Sequence, residues 1–235
     1  MDTIILKLSP KHIFNYVTHQ LKKIYTKQKI KEMKLGFFGK NSILGFPSTI
    51  TNPSHVYIHD YAIIQQRNII YNYTGKFIIK EYSVASIDLL AVTGNHISTV
   101  GIPFRMLAES HINDKETDII IEEDVWIGAR VTLLAGSHIG RGAIIGANSL
   151  VNKDIPPYAV AVGSPCHIIG SKFTIEQIIE HEKILYPEDK RFSKAYLIDL
   201  FGEYYKDKKT IGINSDLKES GFYKFMDKRK FNYLK

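Results

Sequence analysis

A six-residue repeat occupies the middle of the chain, between residues 121 and 156. An aliphatic residue opens each of six consecutive blocks, and the fifth place of each block is small or β-branched. The opening residues are Ile121, Ile127, Leu133, Ile139, Ile145 and Val151. An α-helix repeats every 3.6 residues and a strand every two, so neither explains this spacing. A period of six is typical of a parallel β-helix.

This period predicts how the blocks stack. Three short strands form one triangular turn, and successive turns lie about 4.8 Å apart, the usual spacing of hydrogen-bonded strands. The first residue of each block points into the prism, which places Ile121 on Ile139 and Ile127 on Ile145. Glycines follow three of the aliphatic positions, at corners where a side chain would obstruct the backbone. These glycines are Gly128, Gly140 and Gly146.

The run from Asp124 to Ile169 resembles the hexapeptide-repeat acyltransferases, and within them the bacterial sugar O-acetyltransferases and xenobiotic acetyltransferases. The most specific motifs are TGNH at residues 93–96 and DIPPYAVAVGSP at residues 154–165. The resemblance covers roughly residues 36–175. It implies a mainly β protein, a left-handed parallel β-helix that forms a homotrimer. It also implies acetyl-CoA as acyl donor and active sites between neighbouring subunits.

Three parts are predicted along the chain. Residues 1–40 form an N-terminal helical segment, residues 41–172 the β-helix domain, and residues 173–235 a C-terminal helical extension. Within the β-helix domain, residues 97–118 interrupt the repeat with turn residues and charges. They are predicted to form one long active-site loop, because long loops inside compact repeats are usually functional. Earlier blocks open at Ile58, Ile64, Ile70, Ile79, Ala85 and Ala91, with a change of phase near Gly75.

Helices are predicted at both ends of the chain. Residues 9–34 place four apolar side chains on one face, with Ser9 as N-cap before Pro10. These four are Phe14, Val17, Leu21 and Ile24. The face packs on the prism or a neighbouring subunit, or rests on an anionic membrane. Thr174–Leu185 and Phe192–Tyr205 are predicted helices of the extension. The aromatic and basic residues 220–235 pack on the prism or contact a sugar polymer or membrane.

The charge distribution argues against a nucleic-acid platform. Residues 1–40 carry nine Lys/Arg and two Asp/Glu, whereas residues 41–170 carry eight and eleven, so the repeat core is slightly acidic. The single cysteine, Cys166, excludes an internal disulfide and fits a reducing compartment. No signal-peptide h-region and no apolar run near ~18 residues is found. The sequence predicts a cytoplasmic protein, with the inner membrane face as a candidate location.

His96 is the predicted catalytic base. Acyl transfer from a thioester to a hydroxyl needs a base, and histidine suits the task because its pKa is ordinarily near 6.5. His96 ends a block at a corner where the long loop begins, and it matches the catalytic histidine of the family's motif. Asn95 and His111 are predicted to contact the acceptor, and His111 could also orient His96.

The predicted acetyl-CoA contacts follow from the resemblance, in which the cofactor lies in a groove between two prisms. They are Trp126, Gly128, Ala129, Gly146, Ala147, Gly163, Pro165, His167 and Lys172. Corner geometry alone also favours small residues at these positions, so that alternative stays open. Cys166 and His167 replace the alanine and lysine of the family motif. In the family this lysine often approaches the CoA phosphates, so in this chain that contact would come from His167 or Lys172.

No metal is predicted. A γ-class carbonic anhydrase shares the fold but needs three zinc histidines, and the close pair expected after the loop is missing. The favoured function is O-acetylation of a sugar in a bacterial surface glycan or its precursor. The alternatives are N-acetylation of a nucleotide-linked amino sugar, O-acetylation of a xenobiotic or antibiotic, and a non-catalytic scaffold. The sequence does not decide between these acceptors.

Overall fold

The computed structural model describes residues 10–215 and 219–222. Ser9 and most of the predicted C-terminal arm lie outside these residues. Three parallel sheets form the walls of a triangular prism. The strands of sheet 1 are Phe37–Phe38, Val56–Ile58, Phe77–Ile79, Ile119–Ile121 and His138–Ile139. Those of sheet 2 are Ile43–Leu44, Ile63–Ile64, Val84–Ala85, Trp126–Ile127, Ile144–Ile145 and Ala159–Val162. Those of sheet 3 are Ser48–Ile50, Asn68–Tyr71, Leu90–Val92, Thr132–Leu134 and Leu150–Val151.

The predicted stacking register is confirmed. Ile121 pairs with Ile139, and Ile127 pairs with Ile145. Leu133 pairs with Val151 in the same way. All the block-opening side chains from Ile121 to Val151 are fully buried, so the prism interior is a continuous column of aliphatic residues.

One turn of the prism precedes the predicted blocks. Phe38 pairs with Ile58 and Leu44 with Ile64, so the β-helix begins at Phe37, before the predicted boundary at residue 41. These partners are 20 residues apart in sequence, because a short 3₁₀ turn at Pro53–His55 lengthens one corner. The added residues hide the six-residue period in this part of the sequence.

The repeat ends where the chain reverses direction. Strand His167–Ser171 runs antiparallel to Ala159–Val162 and pairs on its other side with Lys209–Thr210. A helix follows at Ile175–Leu185, and its N-cap Thr174 forms the capping box with Gln177. A second helix spans Lys194–Leu200, with Ser193 as N-cap, and continues as a π-helix over Phe201–Tyr205. Both predicted C-terminal helices are therefore confirmed.

The N-terminal helix, α1, spans Pro10–Met33. Ile30 and Met33, near its end, pack against the prism core. The predicted apolar face does not, because Phe14, Val17, Leu21 and Ile24 are all exposed, with Leu21 60% exposed. The prediction that this face packs on the prism of its own chain is therefore wrong. Contact with a neighbouring subunit and contact with an anionic membrane remain predictions. Within the described residues, no helix has the length and apolarity needed to cross a membrane.

Candidate active site

His96 lies on a two-stranded ribbon that leaves the corner between sheets 3 and 1. Gly94–His96 pairs antiparallel with Asp114–Glu116, and the register places His96 opposite Asp114. Between the two strands the chain forms a short helix at Phe104–Ser110. His111 ends this helix in the left-handed conformation, with φ of 52°. The predicted excursion over residues 97–118 leaves the repeat at the predicted corner and contains this helix and the second strand of the ribbon.

Asp114 joins the two predicted histidines. Its Oδ1 lies 2.7 Å from Nδ1 of His96, and its Oδ2 lies 2.8 Å from Nδ1 of His111. The rings of His96 and His111 are 6.0 Å apart between centroids. The sequence did not single out Asp114, which orients His96 from the opposite strand. His111 contacts the same carboxylate, so the predicted orientation of His96 by His111 would act through Asp114, and it stays a prediction.

The charge state of Asp114 defines the tautomer of both imidazoles. Hydrogen bonds from His96 and His111 hold the pKa of the Asp114 carboxyl below its usual value, so this side chain is ionised near neutral pH. An ionised carboxylate only accepts hydrogen bonds, so each Nδ1 carries a proton. The Nε2 atom of neutral His96 therefore keeps its lone pair, as a general base requires.

Glu116 anchors the ribbon to the prism. Its carboxylate accepts hydrogen bonds from the backbone amides of Tyr73 (3.1 Å), Thr74 (3.0 Å) and Gly75, and from the hydroxyl of Thr93 (2.8 Å). Burial opposes its ionisation, but the bonds from Gly75, Thr93 and the other amides hold the pKa of Glu116 below its usual value. The anchor is therefore fully formed above about pH 4.3 and is lost as the pH falls through the lowered pKa.

A cavity of about 260 Å³ opens beside His96. Tyr71 and Tyr73 contribute exposed aromatic rings, and Asn95 lines the same space. The predicted acceptor contact Asn95 thus lies next to the predicted base. Aromatic faces beside amide and carboxylate groups suit a hydroxylated acceptor with a partly apolar surface.

His96, His111 and Asp114 also form the one group among the described residues whose side chains could hold a metal ion. Their ligand atoms all lie within 4.8 Å of one another. The hydrogen bonds to Asp114 account for this closeness without a metal. The sequence-based expectation that no metal is required stays a prediction.

Comparison with known proteins identifies the repeat. Residues 118–153 match the family model described as bacterial transferase hexapeptide (six repeats). This range contains the block-opening residues from Ile121 to Val151, which stack in register in the prism. This part of the chain is a hexapeptide repeat. The model covers the regular turns and does not extend to His96 or to either end of the chain.

Sequence relatives match this hexapeptide-repeat chain over short stretches. A chloramphenicol acetyltransferase of Klebsiella aerogenes is 45% identical over 64 residues, which are 27% of this chain and 30% of that protein. One from Morganella morganii is 45% identical over 76 residues, 31% of this chain and 36% of that protein. The chain thus spans about a third of the length of the curated relatives it matches.

Solved structures share the hexapeptide-repeat fold. A hexapeptide-repeat acetyltransferase from Vibrio cholerae, complexed with acetyl coenzyme A, has a TM-score of 0.56 at 23% identity. The alignment covers 63% of this chain and 77% of that one. A galactoside acetyltransferase in complex with coenzyme A has a TM-score of 0.52 at 24% identity, over 71% and 76%. These likenesses confirm the predicted left-handed parallel β-helix.

The small residues of the hexapeptide repeat form one edge of the prism, at the corner between sheets 2 and 3. A Cβ atom on Gly128 would lie 2.6 Å from the backbone nitrogen of Ala147, so the two turns are in close contact. Asn148 donates its backbone N–H to Ala129 at 2.9 Å. Trp126 projects outward just before this edge and is 50% exposed. The predicted stacking of these positions is confirmed, whereas their contact with acetyl-CoA stays a prediction.

The end of this edge carries further predicted cofactor contacts. Gly163 adopts φ of 102°, and a Cβ atom there would lie 3.0 Å from the His167 ring. Pro165 and His167 are exposed beside it. Cys166 is buried, and burial raises the pKa of its thiol, which disfavours the thiolate that a nucleophile needs.

Lys172 lies at a different corner. Its Nζ atom is 2.7 Å from Oδ2 of Asp124, between sheets 1 and 2, and His181 contacts the same oxygen at 3.3 Å. Burial opposes the ionisation of Asp124, but His181 and Lys172 hold the pKa of its carboxyl below the usual value. This ion pair engages the Lys172 ammonium, and the predicted contact of Lys172 with acetyl-CoA stays a prediction.

Proposed function

We propose that this protein is an acetyl-CoA-dependent O-acetyltransferase that acetylates a sugar hydroxyl of a bacterial surface glycan or its precursor. The observation that carries the proposal is the His96–Asp114 pair, which leaves Nε2 of His96 free beside an open cavity. The similar proteins include a galactoside acetyltransferase and a chloramphenicol acetyltransferase, which supports acetyl transfer as the reaction class. The cavity's tyrosine and amide groups support a hydroxylated acceptor.

In the proposed reaction, Nε2 of His96 takes the proton of the acceptor hydroxyl as its oxygen attacks the thioester carbonyl carbon. A tetrahedral intermediate forms, and its carbon–sulfur bond then breaks. The proton on His96 passes to the departing thiolate, which releases coenzyme A and the acetyl ester. Asp114 stabilises the transient imidazolium and holds the ring in place. Binding both substrates in one site raises the rate further, because it holds the hydroxyl close to the thioester carbonyl.

We propose that each active site is shared between two subunits of a homotrimer. His96 lies at the corner between sheets 3 and 1, whereas the small-residue edge at Gly128 and Ala147 lies at the corner between sheets 2 and 3. A cofactor lying along that edge would be separated from the same chain's His96 by a wall of the prism. A His96 from a neighbouring subunit can face the edge directly, as cyclic symmetry allows.

An antibiotic acceptor is the second candidate, and the 45% identity to a chloramphenicol acetyltransferase over 64 residues favours it. Incubation with acetyl-CoA and a panel of acceptors separates the two. The panel contains oligosaccharides, nucleotide-linked amino sugars and chloramphenicol, and mass spectrometry locates the added acetyl group. Sugar esters support the proposal. Acetylation of chloramphenicol alone overturns the glycan assignment, and amide products would indicate the N-acetyltransferase.

Asp114→Asn tests the role of the carboxylate. An amide can donate a hydrogen bond to the imidazole, so the wrong tautomer of His96 becomes stable and kcat falls about 10²-fold or more. KM for acetyl-CoA changes little. The control is Glu109→Gln, an exposed carboxylate of the same excursion that pairs with Arg105. Steady-state kinetics measure kcat for both variants. Equal kcat values for Asp114→Asn and Glu109→Gln would refute a role for Asp114.

Removal of metal ions is expected to leave activity unchanged. Overnight dialysis against EDTA, followed by assay in metal-free buffer, gives the same kcat as untreated enzyme. Added Zn²⁺ does not raise it, because the proposed step needs only the lone pair of His96. A loss of activity that Zn²⁺ restores would instead assign His96, His111 and Asp114 to a metal site.

We propose that another subunit covers the exposed apolar face of α1. An anionic membrane is the second candidate, favoured by the excess of Lys/Arg in residues 1–40. Leu21→Glu is expected to lower the assembly mass measured by light scattering, because it places a charge on the face that the other subunit would bury. Sedimentation with phosphatidylglycerol vesicles checks the alternative. An unchanged mass together with lost vesicle binding would favour the membrane.

A further inference from the structure

A second cleft lies at the corner between sheets 1 and 2, away from the His96 cavity. Its volume is about 530 Å³. The prism side is formed around His138 and Asp154–Pro157, and the other side by the helix Lys194–Leu200 and the π-helix Phe201–Tyr205. The residues lining it are all different from those lining the His96 cavity. Nothing in the proposed acyl transfer uses this cleft.

A buried network fixes the distance between the two sides of the cleft. Arg141, on the prism, lies 3.2 Å from the carboxylate of Glu182 in the helix Ile175–Leu185, and Glu182 is 1% exposed. The same carboxylate accepts the backbone N–H of Phe192 at 3.0 Å. Further along, the Tyr205 hydroxyl donates to the carbonyl of Pro157. Since buried charge pairs of this kind break only at high cost, the cleft is largely formed before any ligand arrives.

The cleft offers an aromatic surface beside carboxylates. The Tyr196 ring is 41% exposed and lies 5.0 Å from the Phe192 ring between centroids. Asp199 and Glu203 are exposed along the helical side. Glu203 belongs to the π-helix, a local geometry that occurs frequently at functional sites. Apolar residues line the same space, which gives the mixture typical of small-molecule sites.

We propose that this cleft binds a saccharide. Sugar hydroxyls donate hydrogen bonds to carboxylates such as Asp199 and Glu203, which only accept. They also accept hydrogen bonds, which the hydroxyl of Tyr196 in the cleft lining can donate. The apolar C–H face of a pyranose ring packs against the exposed ring of the same tyrosine. A simple amine would pair with the carboxylates but would leave this aromatic surface uncovered, so the mixture favours a polyhydroxylated ligand with an apolar face.

The saccharide cleft and the His96 cavity lie at opposite ends of one strand. Glu116 lines the cavity and Glu122 lines the cleft, with strand Ile119–Ile121 between them. Six residues of extended chain span at most about 20 Å. An oligosaccharide of several units can cover that length. Resting on the proposed function, this arrangement assigns an oligosaccharide or polymer rather than a single sugar as acceptor.

Ligand binding tests the cleft without any turnover. The His96→Gln protein, without acetyl-CoA, is titrated with maltotetraose, tetra-N-acetylchitotetraose and lacto-N-tetraose, and saturation-transfer NMR detects binding. At least one saccharide is expected to bind. Adding Asp199→Asn, which keeps the side-chain shape, or Tyr196→Ala weakens that binding at least tenfold. Ile198→Ala, an exposed position on the same helix outside the cleft, leaves it unchanged.

Three results would overturn the saccharide assignment. The first is that no tetrasaccharide gives a saturation-transfer signal. The second is binding that neither cleft variant alters, and the third is displacement of the sugar by spermidine at equal concentration. A lower assembly mass for Asp199→Asn would likewise show that a subunit fills the cleft. Because binding is measured without acetyl-CoA, its outcome is independent of whether the protein transfers acetyl groups.

Discussion

His96→Gln is expected to lower kcat for acyl transfer by about 10²- to 10⁴-fold, the usual contribution of a positioned general base. Glutamine keeps the polar surface of the site but has no group that takes a proton near neutral pH. KM for acetyl-CoA stays close to the wild-type value, because the proposed cofactor contacts lie on the small-residue edge. Thiol release with the best acceptor of the panel measures both constants.

The matched control for this variant is His59→Gln. His59 also contacts a carboxylate through Nδ1, that of Glu81 at 3.3 Å, but it lies outside the His96 cavity. This control should retain wild-type kcat. If His96→Gln also retained it, the base would have to be a different group, and His111 would be the next candidate.

Ala147→Trp is expected to abolish measurable acetyl-CoA binding and therefore transfer. Ala147 is exposed on the small-residue edge, so an indole there fills the proposed groove without entering the prism. Calorimetric titration with coenzyme A should give no heat at concentrations that saturate the wild type. The control is Gln66→Trp, an exposed position at the same type of corner three turns earlier. Equal coenzyme A affinity in both variants would place the cofactor elsewhere.

The regular turns of the prism were predictable because each block repeats one physical requirement. An aliphatic residue must fill the interior every six positions, and Ile121, Ile127 and Leu133 do so in the predicted register. The turn at Phe38 and Leu44 meets the same requirement but was missed. Its extended corner shifts the period, and only the strand pairing reveals the repeat.

The candidate site was predictable only in part. His96 stands out because its motif ends a block at a corner. Asp114 lies in a charge-rich stretch where several carboxylates look equivalent, and only the ribbon register brings it opposite His96. Glu116 was missed for the same reason, because its partners are backbone amides that carry no sequence signal. An alternation of acidic residues at positions 114, 116 and 118 was the available hint of a strand.

If His96 of one subunit acts on a cofactor held by another, mixing two inactive variants restores activity. His96→Gln and Ala147→Trp proteins are unfolded together in equal amounts, refolded and assayed for thiol release. With random assortment into trimers, about a quarter of the sites pair an intact His96 with an intact small-residue edge, whereas all sites do so in the wild type. A site shared between subunits predicts recovery to about that level. No recovery, from mixed trimers confirmed by mass spectrometry, would contradict a shared site.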